Sequence, residues 1–404
     1  MKWKLTGGLV VAVAAVLAPT AASAAKAGCG DWTADPVAYG SDYANWISDI
    51  DATSESHAWA VGFSYPGSGV TSAWINRWNG SAWTSVPAVN PSAVNNRLLA
   101  VEAVNQSDAW AVGSWYETGV EGGQRPLLLR YVDGQWQRVL VPLPPEADGV
   151  AYSLGLDDVV ASSADNVWVV GHLILHRADG PDDRVGVAYR WDGAGLVSAP
   201  SPHNFRTHRL AASDKGPVYA YGIEVASGMP ADRRSTLMRW DRSQWVHVPA
   251  PIDVLGPDAQ GTLSVLSPTD VRLLGAKVVQ VDGAPTPTPE IAQITWNGRA
   301  WSQKIIPPLS VDPVALHDVE YSGAREALAG GLERNELEGN QSPFLMQWDG
   351  QRWTRRSLPE FTPGGINSVA AVAYGGRRSW VALQNGLDSD EGIRPTFSIY
   401  RGCR

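Results

Sequence analysis

Aspartate and histidine side chains are the groups of this sequence best suited to chemistry, and several of them stand where a short apolar segment begins. They are Asp49, Asp158, His208 with the adjacent Arg209, and His317 with the adjacent Asp318. Carboxylates and imidazoles that converge can hold a cation or a polar ligand, and a histidine oriented by a carboxylate can act as a general base. The pattern therefore indicates a polar binding site or, as an alternative, the site of a hydrolase or lyase.

A second group consists of arginines that precede an aromatic residue by six or seven positions. They are Arg125, Arg184, Arg234 and Arg394. A guanidinium fork binds carboxylates and sugar hydroxyls, but it pairs equally well with an acidic neighbour such as Glu117. Trp115 and Tyr116 precede Arg125 in the same segment, and if exposed they are suited to stacking on sugar rings or anchoring a protein partner.

Motifs for preformed metal, cofactor and catalytic sites are missing. None of the seven histidines has a His-Glu-x-x-His or Cys/His spacing. The chain also lacks a Gly-x-Ser-x-Gly elbow, a glycine-rich phosphate loop and an Asp-x-Asp-x-Asp-Gly calcium loop. We therefore predict no cofactor and assign no catalytic residue. A divalent cation among the Asp and His side chains is compatible with their chemistry but has no motif to support it.

Two markers repeat along the chain. The first is the aromatic residue that opens a tight turn, as in RWNGSAW (77–83), and it recurs every 49 to 60 residues at Trp78, Tyr131, Trp191, Trp240, Trp296, Trp348 and Tyr400. The second, as in AWAVG (58–62), places its second residue 19 to 24 residues before the first marker. This spacing predicts seven repeat units.

Each unit reads as four short strands. The second unit shows them as LLAVEAV (98–104), AWAVG (109–113), PLLLRY (126–131) and WQRVLVP (136–142). Asn-Gly and Asp-Gly supply the positive φ of a tight hairpin turn between the last two strands. If Asn79 and Gly80 alone form that turn, Trp78 and Trp83 are diagonal neighbours on one face.

Four-stranded units at this spacing are typical of β-propeller blades. We therefore predict an all-β, seven-bladed β-propeller over residues 25–404, with four-stranded antiparallel blades. The predicted blades are about 46–88, 98–142, 152–200, 208–249, 261–307, 314–359 and 366–404. In this architecture the Asp and His group surrounds the channel mouth and the arginines lie on the loop-rich face. Hydrogen bonding between neighbouring blades and to channel water is the simpler explanation of the first group.

The seventh unit ends before its fourth strand, and a matching segment stands at the other end of the chain. WTADP (32–36) is similar to the fourth-strand segment WTSVP (83–87), so residues 29–37 are predicted to complete the last blade. Cys29 and Cys403 are the two cysteines of the chain. In an oxidising destination they are expected to form a disulfide that joins the two ends.

The first 24 residues have the layout of a secretory signal peptide, with Lys2 and Lys4 before an apolar run and Ala22 and Ala24 after it. The formal net charge is −9, and about −11 once Lys2 and Lys4 are removed. Such a balance argues against nucleic acid or an anionic membrane as the partner. We expect a secreted protein without membrane insertion, as a monomer or as a subunit of a hetero-assembly.

The W-A-V-G and W-[DN]-G-x-x-W units resemble those of secreted bacterial seven-bladed propellers of the kelch- and WD-like type. The resemblance covers nearly the whole chain after residue 24 but concerns the scaffold, since this fold does not fix function. The sequence is similar to lectin-like propeller subunits of secreted toxin assemblies. That similarity implies a non-catalytic module that binds a glycan or an extracellular protein through its loop-rich face. A polysaccharide- or lactone-acting hydrolase or lyase and a structural cell-envelope protein are the open alternatives.

Overall fold

The computed structural model describes residues 32–41, 43–67, 69–200, 205–213, 216–225, 233–256, 259, 261–282, 284–335, 340–358, 367–386 and 394–403. Over these residues the chain forms 28 strands in seven antiparallel sheets of four, the blades of a β-propeller. The helices in this part of the chain are too short to cross a bilayer. The predicted signal peptide and Cys29 lie outside the described residues.

The strands follow one another blade by blade. Blades 1 to 3 consist of β2 (Ala44–Ser54), β3 (His57–Tyr65), β4 (Ser72–Trp78), β5 (Trp83–Val86); β6 (Asn96–Asn105), β7 (Asp108–Tyr116), β8 (Gln124–Val132), β9 (Gln135–Val139); β10 (Tyr152–Ser163), β11 (Asn166–Leu175), β12 (Asp183–Trp191), β13 (Leu196–Ala199). Blades 4 to 6 consist of β14 (Phe205–Ala212), β15 (Val218–Val225), β16 (Arg233–Trp240), β17 (Trp245–His247); β18 (Gly261–Ser267), β19 (Asp270–Val281), β20 (Ala284–Trp296), β21 (Trp301–Ile306); β22 (Val314–Tyr321), β23 (Ala327–Arg334), β24 (Gln341–Trp348), β25 (Trp353–Arg355). Short 3-10 turns lie at Pro145–Ala147 and Ile252–Leu255.

Blade 7 contains strands from both ends of the chain. Its sheet has the order β26 (Ser368–Gly375), β27 (Arg378–Asn385), β28 (Thr396–Cys403) and β1 (Thr33–Asp35). Ala34 stands opposite Tyr400, and the Asp35 carboxylate pairs with the Arg401 guanidinium at 3.1 Å. The outer edge of β28 is therefore covered by β1, which gives blade 7 the same four strands as the other blades.

The first strand of each blade is innermost, and these strands contact one another in turn around a central channel. We call the end of the propeller that carries the loops between second and third strands the upper face. The lower face carries the turns between third and fourth strands. Apolar side chains packed within and between the sheets form the core.

The tryptophan hairpins on the lower face differ from the sequence prediction in their register. Trp78 and Trp83 lie directly opposite each other, with ring centroids 5.8 Å apart, and are not diagonal neighbours. The reason is that the connection has four residues: the N–H of Asn79 donates to the carbonyl of Ala82 at 3.2 Å. The Asn79 side chain accepts from the N–H groups of Ser81 and Ala82, and Gly80 takes φ +97°.

The glycine that ends the AWAVG marker is explained by a bulge in the innermost strand. β2 shifts register between Ile47 and Asp49, opposite Gly62. A Cβ on Gly62 would lie 2.0 Å from the carbonyl oxygen of Trp46, which no side chain tolerates. The same close approach occurs in four other blades, at Gly113, Gly171, Gly222 and Gly331.

The connection between the second and third strands of blade 5 is a β-hairpin on the upper face. β19 and β20 stay paired as far as Val281 and Ala284, beyond the body of the blade. The β-branched residues of this segment favour extended backbone, and Asp282 at φ +50° supplies the turn.

Candidate binding site at the channel and the upper face

The central channel contains a cavity of about 380 Å³ whose ionisable lining residues are mainly acidic. The innermost strands position its ionisable side chains. In three of these strands a bulge lies directly before an aspartate, which is Asp49, Asp158 or Asp318. Each of these aspartates bonds to the neighbouring blade. The ionisable side chains of the cavity are Asp49, Asp51, Glu102, Asp157, Asp158, Asp318, Glu320, His317 and Arg209. The structure thus brings together five of the six predicted mouth residues. His208 lies beside them on the bulge of β14, and Arg209 forms the cavity wall there.

Three of the aspartates join one blade to the next. Asp49 accepts from the N–H of Val101 at 2.8 Å. Asp158 accepts from Leu210 at 2.7 Å, and Asp318 accepts from Val372 at 2.8 Å. Each second carboxylate oxygen accepts from the N–H of the residue that follows the aspartate.

These bonds have a structural reason. The inner edge of each blade faces the channel, so its N–H groups have no neighbouring strand to donate to. The carboxylate of the preceding blade supplies the acceptor, and Asp51 does the same for the N–H of Ala103 at 2.7 Å. The aspartates predicted to bind a cation or polar ligand are therefore engaged in hydrogen bonds between neighbouring blades. This is the simpler of the two roles that the sequence leaves open for them.

The channel carboxyls hold protons more tightly than ordinary carboxyls do. Burial, with repulsion from neighbouring carboxylates, raises the pKa of Asp49, Glu102 and Glu320 well above the usual range. Burial raises the pKa of Asp158 to about 6, although the nearby Arg209 opposes the change. The pKa of Asp318 is also raised by burial. Each raised value follows from placing several like charges in one poorly hydrated space.

Arg209 and His317 connect blades 4 and 6 through the channel. The Arg209 guanidinium donates to the carbonyl of His317 at 2.7 Å and to that of His208 at 2.9 Å. The Nδ1 atom of His317 lies 3.0 Å from the carbonyl oxygen of Val369, so Nδ1 carries the proton. Burial lowers the pKa of His317, which is therefore a neutral imidazole near pH 7.

Metal binding finds no support in the channel or elsewhere in the described ranges. No group of three or more His, Cys, Asp or Glu side chains there has the arrangement of a metal site. His172 and His176 do have a His-x-x-x-His spacing, but His172 lies on strand β11 and His176 directly follows it. Along extended backbone, four residues span about 13 Å. Each ring pairs with its own carboxylate, Asp157 at 2.9 Å and Asp182 at 3.1 Å.

The predicted arginines divide into one that is used internally and three that are exposed. Arg125 is ion-paired with Glu117 at 2.9 Å and donates to the carbonyls of Gly122 and Tyr152. It thereby closes the loop between β7 and β8. Arg184, Arg234 and Arg394 are exposed on the upper face, and Arg394 stacks over Tyr43 at 4.4 Å.

The predicted aromatic pair is split by burial. Tyr116 is 41% exposed, at the end of β7. Trp115 is partly buried and packs on the core of blades 1 and 2, with the Arg138 guanidinium over its ring at 5.1 Å. The condition of exposure is therefore met by Tyr116 and not by Trp115, whose ring packs on the core.

The sequence reasoning missed an aromatic cluster at the upper end of the channel. Trp46 on β2 and Phe63 on β3 are register partners whose rings stack 5.0 Å apart. The exposed Arg97 of blade 2 lies over the Phe63 ring at 4.9 Å. We call these three residues, together with Tyr43, Tyr116 and Arg394, the upper arc. The sequence signal is their position. Phe63 directly follows Gly62, which ends the AWAVG marker, and Trp46 directly precedes Ile47, the residue that pairs with Gly62.

Comparison with known proteins agrees on the fold. The chain matches no protein-family model and no curated protein. Among solved structures it is similar to YCF48 bound to D1 peptide, at 16% identity and a TM-score of 0.55, over 94% of this chain and 96% of that one. The likeness is one of fold.

Two further solved structures are more distant. A PL25 ulvan lyase bound to a -[GlcA(1-4)Rha3S]- saccharide has 12% identity and a TM-score of 0.49, over 76% of this chain and 80% of that one. The Hadza microbial sialidase Hz136 has 11% identity and a TM-score of 0.44, over 78% and 66% of the two chains.

Proposed function

We propose that this protein is a secreted, non-catalytic recognition propeller that binds a glycan or an extracellular protein through the upper arc. The observation that carries the proposal is the pairing of exposed arginines with aromatic rings on adjoining blades. Arg394 covers Tyr43, and Arg97 covers Phe63 beside Trp46. The exposed Arg97 guanidinium, held on the Phe63 ring, can direct its outward N–H groups at carboxylates or hydroxyls, while the neighbouring Trp46 supplies apolar contact area.

The channel chemistry supports binding over catalysis. A His–Asp pair needs a carboxylate that orients the imidazole. The oxygens of Asp318 accept backbone N–H groups of Val319 and Val372, and His317 Nδ1 faces the carbonyl of Val369. The Asp318 carboxylate is therefore engaged in joining blades 6 and 7 and does not orient the His317 imidazole.

The fold itself is compatible with recognition of an extended partner. YCF48, which shares the fold, has been solved with a bound peptide. For the present chain a lectin-like subunit of a hetero-assembly is the role that fits the predicted export, the acidic charge and the upper arc together. The proposed disulfide between Cys29 and Cys403 fixes β1 to β28 in that setting.

The test is capture of a partner by the mature chain, residues 25–404. The immobilised protein is exposed to culture supernatant and to solubilised cell-wall fractions, and in parallel to a glycan array. The captured component is identified, purified and titrated against wild type, Arg97→Ala and Arg352→Ala. Arg352 is exposed on the lower face and is the matched control.

We expect Arg97→Ala to weaken binding by about tenfold or more, because it removes a charge-assisted contact. Arg352→Ala is expected to bind like wild type. Equal binding by Arg97→Ala would contradict the proposal. So would a hydrolytic or lyase activity on polysaccharides or lactones that Asp318→Asn or His317→Ala abolishes, since that result supports the enzyme alternative.

A further inference from the structure

A cleft on the lower face, far from the upper arc, differs in its side-chain contacts from the spaces between blades 1 and 2 and between blades 2 and 3. In blades 1 to 4 an arginine directly precedes the third-strand aromatic. In the first two blades its guanidinium lies between an aromatic of its own blade and one of the next. These arrangements are Arg77 between Trp59 and Tyr131, at 5.2 and 5.4 Å, and Arg130 between Trp110 and Trp191, at 5.0 and 5.2 Å.

Between blades 3 and 4 the described contacts include no arginine that lies between aromatic rings of both blades. Arg190 donates to the side-chain oxygen of Asn166 at 2.7 Å and lies 5.9 Å from the Trp168 ring. A cleft of about 480 Å³ opens beside it. We call this the lower cleft, and its walls include Trp168, Arg190, Arg239, Trp240, Arg242 and Pro268.

Arg242 stands in a backbone conformation that favours glycine. Its φ is +90°, and at the same turn position other blades have Gly80, Gly193, Gly298 and Gly350 with φ between 86° and 97°. A side chain in this region costs conformational free energy, and such residues persist where another interaction offsets the cost. An exposed cation at the rim of the lower cleft is the feature that arginine adds and glycine cannot.

The charges of the cleft favour an anion. Three arginines, Arg190, Arg239 and Arg242, are among its lining residues. The carboxylate of Asp241 is turned into its own loop, where one oxygen accepts the N–H groups of Ser243 and Gln244, each at 2.9 Å. The cleft therefore presents more positive than negative groups to a ligand.

The shape and the surroundings limit what the anion can be. Trp240 is partly exposed in the cleft wall, and an indole face suits the apolar face of a pyranose ring. The chain as a whole carries a formal charge of −9, which opposes a long polyanion such as nucleic acid. We infer that the lower cleft binds an acidic sugar, a hexuronate unit with its ring against Trp240 and its carboxylate at Arg239 and Arg242. The inference is independent of the proposed function, because the upper arc lies on the opposite face.

Calorimetric titration of the mature chain with trigalacturonate tests this assignment. Neutral galactotriose and N-acetylated trialanine, which has a free terminal carboxylate, serve as comparison ligands. The central variant is Arg242→Gly, which restores the residue that other turns use at this position. The control is Arg299→Gly, which removes an exposed arginine one position later in the blade 5 turn. The melting temperature of each variant is measured alongside.

We expect Arg242→Gly to melt no lower than wild type and to bind trigalacturonate about tenfold more weakly, and Arg299→Gly to bind as wild type does. Binding by Arg242→Gly at wild-type strength would overturn the inference. Absence of trigalacturonate binding at millimolar concentration, or equal binding of galactotriose, would do so as well. Equal binding of the acetylated tripeptide would show a general carboxylate site and overturn the assignment to a sugar.

Discussion

The raised pKa of Asp158 makes a quantitative prediction about stability and pH. The carboxyl is buried between blades 3 and 4 and has a pKa of about 6, against an ordinary value of 3.8 in an unfolded chain. The folded state therefore holds a proton that the unfolded state releases. Stabilisation from this proton is complete below pH 3.8 and is lost as pH rises through 6. The difference of about 2 pKa units corresponds to about 3 kcal/mol.

The perturbation is Asp158→Asn, whose amide has the shape of the protonated carboxyl and does not titrate. As pH rises from 4 to 7, the free energy of unfolding of wild type should fall relative to that of the variant by most of this 3 kcal/mol. Loss of the charge also relieves Asp49 and Glu102, whose pKa values Asp158 helps to raise, and this adds in the same direction. Comparing two chains cancels the histidines, whose lowered pKa values act in the opposite sense.

Urea denaturation at 25 °C, followed by circular dichroism at several pH values, measures the two free energies. Asp192→Asn is the control, since the loop N–H groups of Ala194 and Gly195 lower the pKa of Asp192 and keep it ionised above pH 4. Its difference from wild type should be constant from pH 5 to 7. A constant difference for Asp158→Asn, or one that grows in favour of wild type with rising pH, would refute the reasoning about the channel.

Three further predictions concern the scaffold. Gly62→Ala should lower the free energy of unfolding by at least about 2 kcal/mol, measured by urea denaturation, because its Cβ would meet the Trp46 carbonyl at 2.0 Å. Trp78→Ala should cost about 3–5 kcal/mol in the same assay, because the ring is 0% exposed and its Nε1 donates to a carbonyl at 3.0 Å. Cys29→Ser should lower the free energy of unfolding by about 2–4 kcal/mol and so lower the melting temperature. A reductant should have the same effect on wild type but none on the variant.

The repeat of tryptophans predicted the blades because each marker is local. Trp78 and Trp83 are close in the chain, so their pairing can be read from the segment itself, although the number of turn residues decided their register. Seven blades with four antiparallel strands are confirmed by the structure. The kelch- and WD-like character remains a resemblance of motif, since the chain matches no family model.

The channel and the upper arc could be predicted only in part, because their contacts are distant in sequence. Asp49 is recognisable as a polar residue beside an apolar strand, but its acceptor role depends on the N–H of Val101, 52 residues away in the next blade. The stack of Arg97 on Phe63 likewise joins two blades. Residue types indicated where polar groups converge, and only the packing of adjacent blades showed which of them are engaged.

The central claim is that Arg97 and the aromatic rings beside it contact a partner from outside the cell. The most direct measurement is the affinity of the captured and purified partner for wild type, Arg97→Ala and Arg352→Ala under identical conditions. Our account predicts about tenfold or greater loss of affinity for Arg97→Ala alone, with an unchanged melting temperature. Wild-type affinity for Arg97→Ala, or an equal loss for the lower-face variant Arg352→Ala, would contradict it.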